Sequence, residues 1–435
     1  MFASLGQPFG LFFAAHTVSN VGDTFRRLAL TLWVFQVSGA SGLAVAFLTF
    51  LEIVPTLLLS PLAGVVVDRL DRRRLLLWCD AGRATLSAGL VLAALTHNLA
   101  LGFVLLVLST LFSVFADLAA NTAVPSLVTD SSLERAYALM SVSQQLSFVL
   151  GPLLAAVSFA HLGPGLAFSL DAASFVASFL LLRLLPKAAL APVHTQGSRL
   201  NFWREVREGA MFVRTSRLVT SNFVVTGLRV LSSGINNTAM LFFLTRDLGR
   251  PATDVAWLST SNGVMQVLIG GALVAASHRV PLRTSLVGGL ACMALGGVLV
   301  AVAPSLVVLT VGVVVTSLGN APVNVATTTL EGRFVPTALL GRVRAWGDIL
   351  TTVLFLSASG GTGLLIDEVG ARTWLVASAV LMLGAFLVAW WVLRPLLAVN
   401  RATSAAGSTD DVPHARQAAP GNSPHGHSRA TRAHD

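Results

Sequence analysis

The chain has 435 residues, 54% hydrophobic and only 11% charged, with a formal net charge of +9. A soluble globular domain carries about 25% charged residues, so too little polar surface exists to face water and most of the exterior must meet lipid. The basic excess is arginine placed between apolar runs, not along one continuous face, which argues against nucleic acid as a partner.

A bilayer core needs about 20 apolar residues per helix. Twelve segments meet that need, at about 10–36, 43–67, 75–96, 99–123, 136–160, 164–186, 219–245, 254–277, 283–302, 305–330, 342–366 and 372–398. They are too long for barrel strands and lack period-two alternation. The expected fold class is therefore an all-α membrane protein. The first run is too long for a signal peptide and is expected to be a retained span.

The chain divides around one long linker. Residues 1–186 and 219–398 are expected to form two six-helix bundles, joined through 187–218. In the linker, Asn201–Arg214 (NFWREVREGAMFVR) reads as an amphipathic helix. Phe202, Val206 and Val213 would dip into the interface, with Arg204, Arg207 and Glu208 wet. Residues 399–435 read as a disordered cytoplasmic tail. Its histidines (His414, His425, His427 and His434) are irregularly spaced and indicate no metal site. Cys79 and Cys292 lie far apart in or beside apolar runs and read as small apolar fillers, not a disulfide framework.

Arginine sets the expected orientation. With both termini in the cytoplasm, the inner gaps hold Arg69, Arg72, Arg73, Arg74, Arg135, Arg279, Arg283, Arg333, Arg342 and Arg344. The outer gaps hold only Arg246, Arg250 and Arg372. The positive-inside rule supports that choice. A weak internal echo accompanies it: Gly64 and Gly271 end spans two and eight, and Arg72 and Arg279 each follow eight residues later. Parallel six-helix halves around a central site are a known transporter plan.

Charges inside spans cost about 2.5–3.5 kcal/mol each at the bilayer centre, so they must face a cavity or one another. Asp23 lies about 20 Å from the inner end of span one, at about 1.5 Å per residue. Arg26 and Arg27 follow it at i+3 and i+4 and can share its face. Glu52 of span two sits at similar depth. These four are the candidates for proton coupling. Arg83 and Asp117, at matched depth in spans three and four, are expected to form a structural pair. Asp171 and Asp348 are single acids without an assignable partner, and His16 reads as a satisfied polar group. Gln144, Arg229, Asn236, Asn237, Asn262, Gln266, Asn320 and Asn324 are the cavity candidates, although the amides could equally bond between helices.

The turn GVVVDRLDRRR, starting at Gly64, resembles motif A of the major facilitator superfamily through Gly64, Asp68, Arg69, Arg72 and Arg73, with Asp71 where glycine is commonest. Other segments fit the macrolide-efflux type of that superfamily: SNVGDTFRRLAL, ANTAVPSLV, LGPLLAA, REVREGAMFVR and NVATTTLEGRFVP. Gly151 and Pro152 are similar to an antiporter motif, and Glu331 stands where glutamine is more usual. The resemblance covers about residues 10–398. It implies that Asp68 faces Arg342 or Arg344 of span eleven as a conformational latch. It also implies a monomeric, proton-coupled exporter of an amphipathic organic compound in the cell's inner membrane. Protons, the small substrate and the lipid bilayer would be its partners.

A dedicated exporter of a siderophore or other own-made metabolite is the close alternative. A non-transporting receptor or scaffold is the alternative of another class. No Walker sequence, zinc spacing or nucleophile elbow occurs, so neither enzyme chemistry, ATP, a metal nor a cofactor is expected.

Overall fold

The computed structural model describes residues 5–129, 132–186, 202–276 and 281–393. Its helices are α1 (Gln7–Val37), α2 (Gly42–Arg69), α3 (Arg72–Leu95), α4 (Leu99–Leu127), α5 (Leu133–Arg183), α6 (Phe202–Thr215), α7 (Arg217–Phe242), α8 (Val255–Ala276), α9 (Leu282–Ala301), α10 (Leu306–Phe334), α11 (Thr337–Val369) and α12 (Ala371–Val388). Single π turns, Phe243–Asp247 and Ala389–Leu393, extend α7 and α12.

Helix starts follow from local chemistry. Polar side chains accept the orphan N–H groups at the first turns of α2 (Ser41), α3 (Asp71), α4 (Asn98), α7 (Ser216) and α10 (Ser305). Asp71 thus has a local reason to replace glycine in the α2–α3 turn: it caps α3 through the Arg74 N–H at 3.0 Å. Gly163, at φ 76°, breaks α5 in a conformation that residues with a Cβ rarely adopt. The helix is therefore one bent rod with arms 133–162 and 164–183, where the sequence suggests two separate spans.

Among the described residues, nine helices are long and apolar enough to cross a bilayer, α5 among them as a single 51-residue element. The bend gives α5 two crossings. By length, α1 (31 residues) and α8 (22 residues) complete the twelve expected spans. Large apolar side chains such as Leu58, Trp78, Leu180, Val307 and Trp391 point outward, as lipid-facing helices require.

The helices pack in two groups. α1 runs along α5, which also holds α3, while α4 packs on α2 and α3. In the second group α9 pairs with α10, and α7 with α11 and α12. Helix α6 does not lie with Val213 in the interface as expected. Val213 is buried with Val219, Phe223 and Val343, and Gly209 abuts the backbone of Arg342. The side chains of Phe202, Arg204 and Val206 lie outside the described residues, as do Arg279 and the whole tail 399–435.

The groups meet along α2–α11 and α5–α8. Their contacts gather at the end of the bundle that carries the α1–α2 and α11–α12 turns. There Phe35 meets Phe242 edge-on at 5.3 Å, and Arg246 donates to the Ala40 carbonyl at 2.8 Å while pairing with Asp367 at 2.7 Å. A Cβ on Gly42 would lie 2.4 Å from the Gly363 oxygen, so α2 and α11 cross in backbone contact. Gly42→Val should destabilise this closed arrangement by about 1–3 kcal/mol. Spin labels at Ser38 and Glu368 should then report a longer distance than in the parent chain, and an unchanged distribution would count against the seam.

Candidate functional site

The centre of the first group is an ion-pair network in which two guanidiniums interleave with two carboxylates. Arg83 of α3 donates from Nη1 to Asp23 of α1 at 2.8 Å and from Nη2 to Asp80 at 2.5 Å. Arg26 donates from Nη2 to the other oxygen of Asp23 at 2.8 Å and from Nη1 to Ser109 of α4. Ser178, on the second arm of α5, donates to Asp80 at 2.6 Å. Phe175 of the same arm lies under both cations, 4.5 Å from Arg83 and 5.8 Å from Arg26. Four crossings are tied together, with every charge facing a partner.

Asp23 is held where it is by close packing of α1 on α5. A Cβ on Gly151 would lie 2.0 Å from Thr24 Oγ1, and that hydroxyl donates to the Ser147 carbonyl at 2.9 Å. The Gly151–Pro152 pair therefore lies on the α5 surface against which the residue next to Asp23 packs.

A cavity of about 330 Å³ opens beside the network, lined by His16, Asp23, Arg26, Arg27, Glu52, Asp117 and Gln144 among others. Arg27 turns away from Asp23 and reaches Glu52 of α2 at 3.7 Å. His16 receives a bond from Asn20 at 3.0 Å, as a satisfied polar group should. A second cavity of about 490 Å³ lies in the other group, lined by Arg229, Asn236, Asn237, Asn262 and Asn320 with apolar neighbours such as Met240, Leu258 and Met293. Asn324 and Gln266 are not part of this lining but bond to it, Asn324 to Arg229 at 2.8 Å and Gln266 to Asn262 at 3.0 Å.

One expectation is overturned, and another falls partly outside the described residues. Arg83 does not pair with Asp117: its partners are Asp23, Asp80 and Ser19, and Asp117 faces the cavity without an ion pair among the described residues. Matched depth fixed only one coordinate, and helix rotation decided the rest. Arg342 and Arg344 have partners of their own, Glu208 of α6 and, at 3.8 Å, Glu331 of α10. The side chains of Asp68 and Arg69 lie outside the described residues. Arg72 and Arg73 bind within their own group, to Ser126 at 3.4 Å and to the Arg183 carbonyl at 2.8 Å. Asp80 was not singled out in the sequence, although its i,i+3 spacing to Arg83 inside an apolar span was a usable signal. Asp171 is buried against Gly22, with one oxygen bonded to Ser87 at 2.7 Å and the other unpartnered. Cys79 and Cys292 are both free thiols.

The pattern of the family described as transmembrane secretion effector matches residues 2–416. The chain belongs to that family, within the major facilitator superfamily. It is 25% identical over 257 residues to an uncharacterized MFS-type transporter of Bacillus subtilis, YfiS, covering 59% of this chain and 61% of the relative. It is 23% identical over 206 residues to macrolide efflux protein A of Streptococcus pyogenes, covering 47% and 50%. The chain thus spans less than two thirds of the length of these curated relatives. The solved nucleoside transporter NupG superposes with a TM-score of 0.72 at 12% identity, over 88% of this chain and 98% of that one. That likeness shows the fold. The chain is thus a multi-pass membrane protein of this family, and its two halves carry chemically different cavities.

The network makes a stability prediction. Asp80→Ala strands part of the buried Arg83 and should cost about 3–5 kcal/mol. A double-mutant cycle in thermal unfolding should show strong coupling between Asp80 and Arg83, and near-additivity between Asp117 and Arg83.

Proposed function

We propose that the protein exports an amphipathic organic compound across the cytoplasmic membrane by proton antiport with alternating access, with both termini in the cytoplasm. The carrying observation is Asp23: a mid-span carboxylate that borders a cavity and is shared by two guanidiniums from different helices. Binding a proton there removes the charge that holds both contacts: Arg26 loses its carboxylate partner while Arg83 keeps Asp80, so proton occupancy is coupled to the relation of α1 to α3. Glu52 and Asp117 border the same cavity and can pass protons to or from water. The macrolide efflux relative supports export as the direction.

The halves touch at the end holding Arg246 and Asp367, which is the outer end in this orientation. The conformation is then closed outward, and an Asp23 engaged by two arginines is the state after proton release to the cytoplasm. Asp68 would serve as a latch in the opposite conformation, once α11 exchanges Glu208 and Glu331 for α2. The linker helix α6 takes part in that exchange, because it holds Arg342 in the present state.

Asp23→Asn keeps the shape of the carboxylate but removes its charge. Proteoliposomes carrying it should bind substrate yet lose accumulation driven by a pH gradient, by tenfold or more if Asp23 is the coupling group. Continued uphill accumulation would transfer the role to Glu52 or Asp117. Flux of no compound at all from the parent protein, across a broad panel, would favour the receptor or scaffold alternative.

A further inference from the structure

We propose that the cavity of the second helix group is a binding site for the acidic group, a carboxylate or equivalent anion, of an amphipathic organic molecule, with Arg229 as its anchor. The proposal deepens the exporter reading and rests on it for the claim that the occupant is cargo.

The argument is one of donors and acceptors. A guanidinium has five N–H donors and accepts nothing. Nη2 of Arg229 gives its two to Asn320 Oδ1 at 3.0 Å and Asn324 Oδ1 at 2.8 Å. Nε is buried without a partner, and Nη1 has none among the described residues. The surrounding amides do not supply the missing acceptor. Asn320 Oδ1 is already shared, since it also receives Asn324 Nδ2 at 3.3 Å, and the Asn320 amide nitrogen is left as a further donor. Asn262 Oδ1 is likewise occupied by Gln266 and Ser317, which leaves its nitrogen free. Asn236 and Asn237 also line the cavity and spend their nitrogens elsewhere, so neutral acceptors are present too, but the one positive charge has no carboxylate to meet among the described residues.

No acid lines this cavity among the described residues, in contrast to the first group, where Arg26, Arg27 and Arg83 each have a carboxylate within 4 Å. An unpaired cation in a low-dielectric span is costly, and an anion from outside the chain is the partner that removes that cost. The rest of the wall fixes the other half of the ligand. Met240, Leu258, Met293, Val300, Val313 and Met382 give an apolar, deformable surface, and about 490 Å³ accommodates a drug-sized body. Acid-bearing amphipaths fit this site, and amine-bearing ones do not.

The test uses the full-length protein in phosphatidylcholine nanodiscs and two fluorescent probes, 11-(dansylamino)undecanoic acid and its primary amide. The acid should bind on the order of ten- to hundredfold tighter, the range of a charge-assisted hydrogen bond made in place of a neutral one. Arg229→Gln should lower acid binding to the level of the amide. Asn320→Asp should do the same by supplying Arg229 with an internal carboxylate. Both variants should still bind the amide, which shows that the cavity is folded. Equal affinity for acid and amide in the parent protein, or an acid preference that survives in both variants, overturns the proposal. Replacing half the lipid with phosphatidylglycerol separates sources of anion: an unchanged acid affinity supports free cargo, and displacement of the probe assigns the site to a lipid headgroup and overturns the cargo claim. A failed exporter reading looks different, because the acid would then bind with its preference for Arg229 intact while showing no gradient-driven flux.

Discussion

Arg83 cannot sit alone in an apolar bundle, and much of the first helix group is arranged around that fact. A buried guanidinium needs a carboxylate in good geometry to offset its lost hydration. Two carboxylates surround it, from its own helix and from α1. Each of those brings a further tie, Asp23 to Arg26 and Asp80 to Ser178. The relative rotation of α1, α3, α4 and α5 is thereby set by polar contacts, in a setting where apolar side chains discriminate poorly between one helix face and another.

The second group solves a similar problem with amides and hydroxyls. Ser232, Ser378 and Asn236 share bonds at 2.6 Å between α7 and α12, while Thr238 and Ser359 join α7 to α11 at 2.8 Å. Neutral pairs of this kind hold helices without charge, and they leave Arg229 as the group's isolated cation facing its cavity. The asymmetry divides labour in the proposed cycle. A charged network in one half can respond to protons, and a donor-rich, partly apolar cavity in the other can hold the compound carried.

How much of this was legible in the sequence depends on the kind of information each feature needs. Span number and position follow from runs of about 20 apolar residues, and the described helices begin and end within about five residues of the expected limits, except the end of span twelve, expected at 398, which lies outside the described residues. The Asp23–Arg26 pair was legible because i,i+3 spacing places both on one face. Arg27 was equally near in sequence but turns to Glu52, which only the placement of α2 decides. The Arg83–Asp117 pair failed for the same reason. Depth along a helix is readable from residue counts, and azimuth is not. The cavity amides were legible as a group, since polar residues in apolar spans must face inward, but which of them line the space was a matter of packing.

The tight seams show what the ion pairs alone do not achieve. Gly151 lets α5 approach Thr24, one residue beyond Asp23, and Gly42 lets α2 cross Gly363 of α11 in backbone contact. The first seam lies within one helix group and fixes the acid against its cations. The second joins the two groups and must part if the closed end is to open. Between them runs a short mechanical route: Thr49 of α2 receives Asn237 of α7 at 3.5 Å, and Glu52, one turn further along α2, holds Arg27 of α1. A shift of α2 away from α11 therefore pulls on Glu52 and on the cavity that contains Asp23. Helix α2 touches both the seam and the charged cavity, and in the proposed cycle it is the element through which movement at the closed end would reach Asp23.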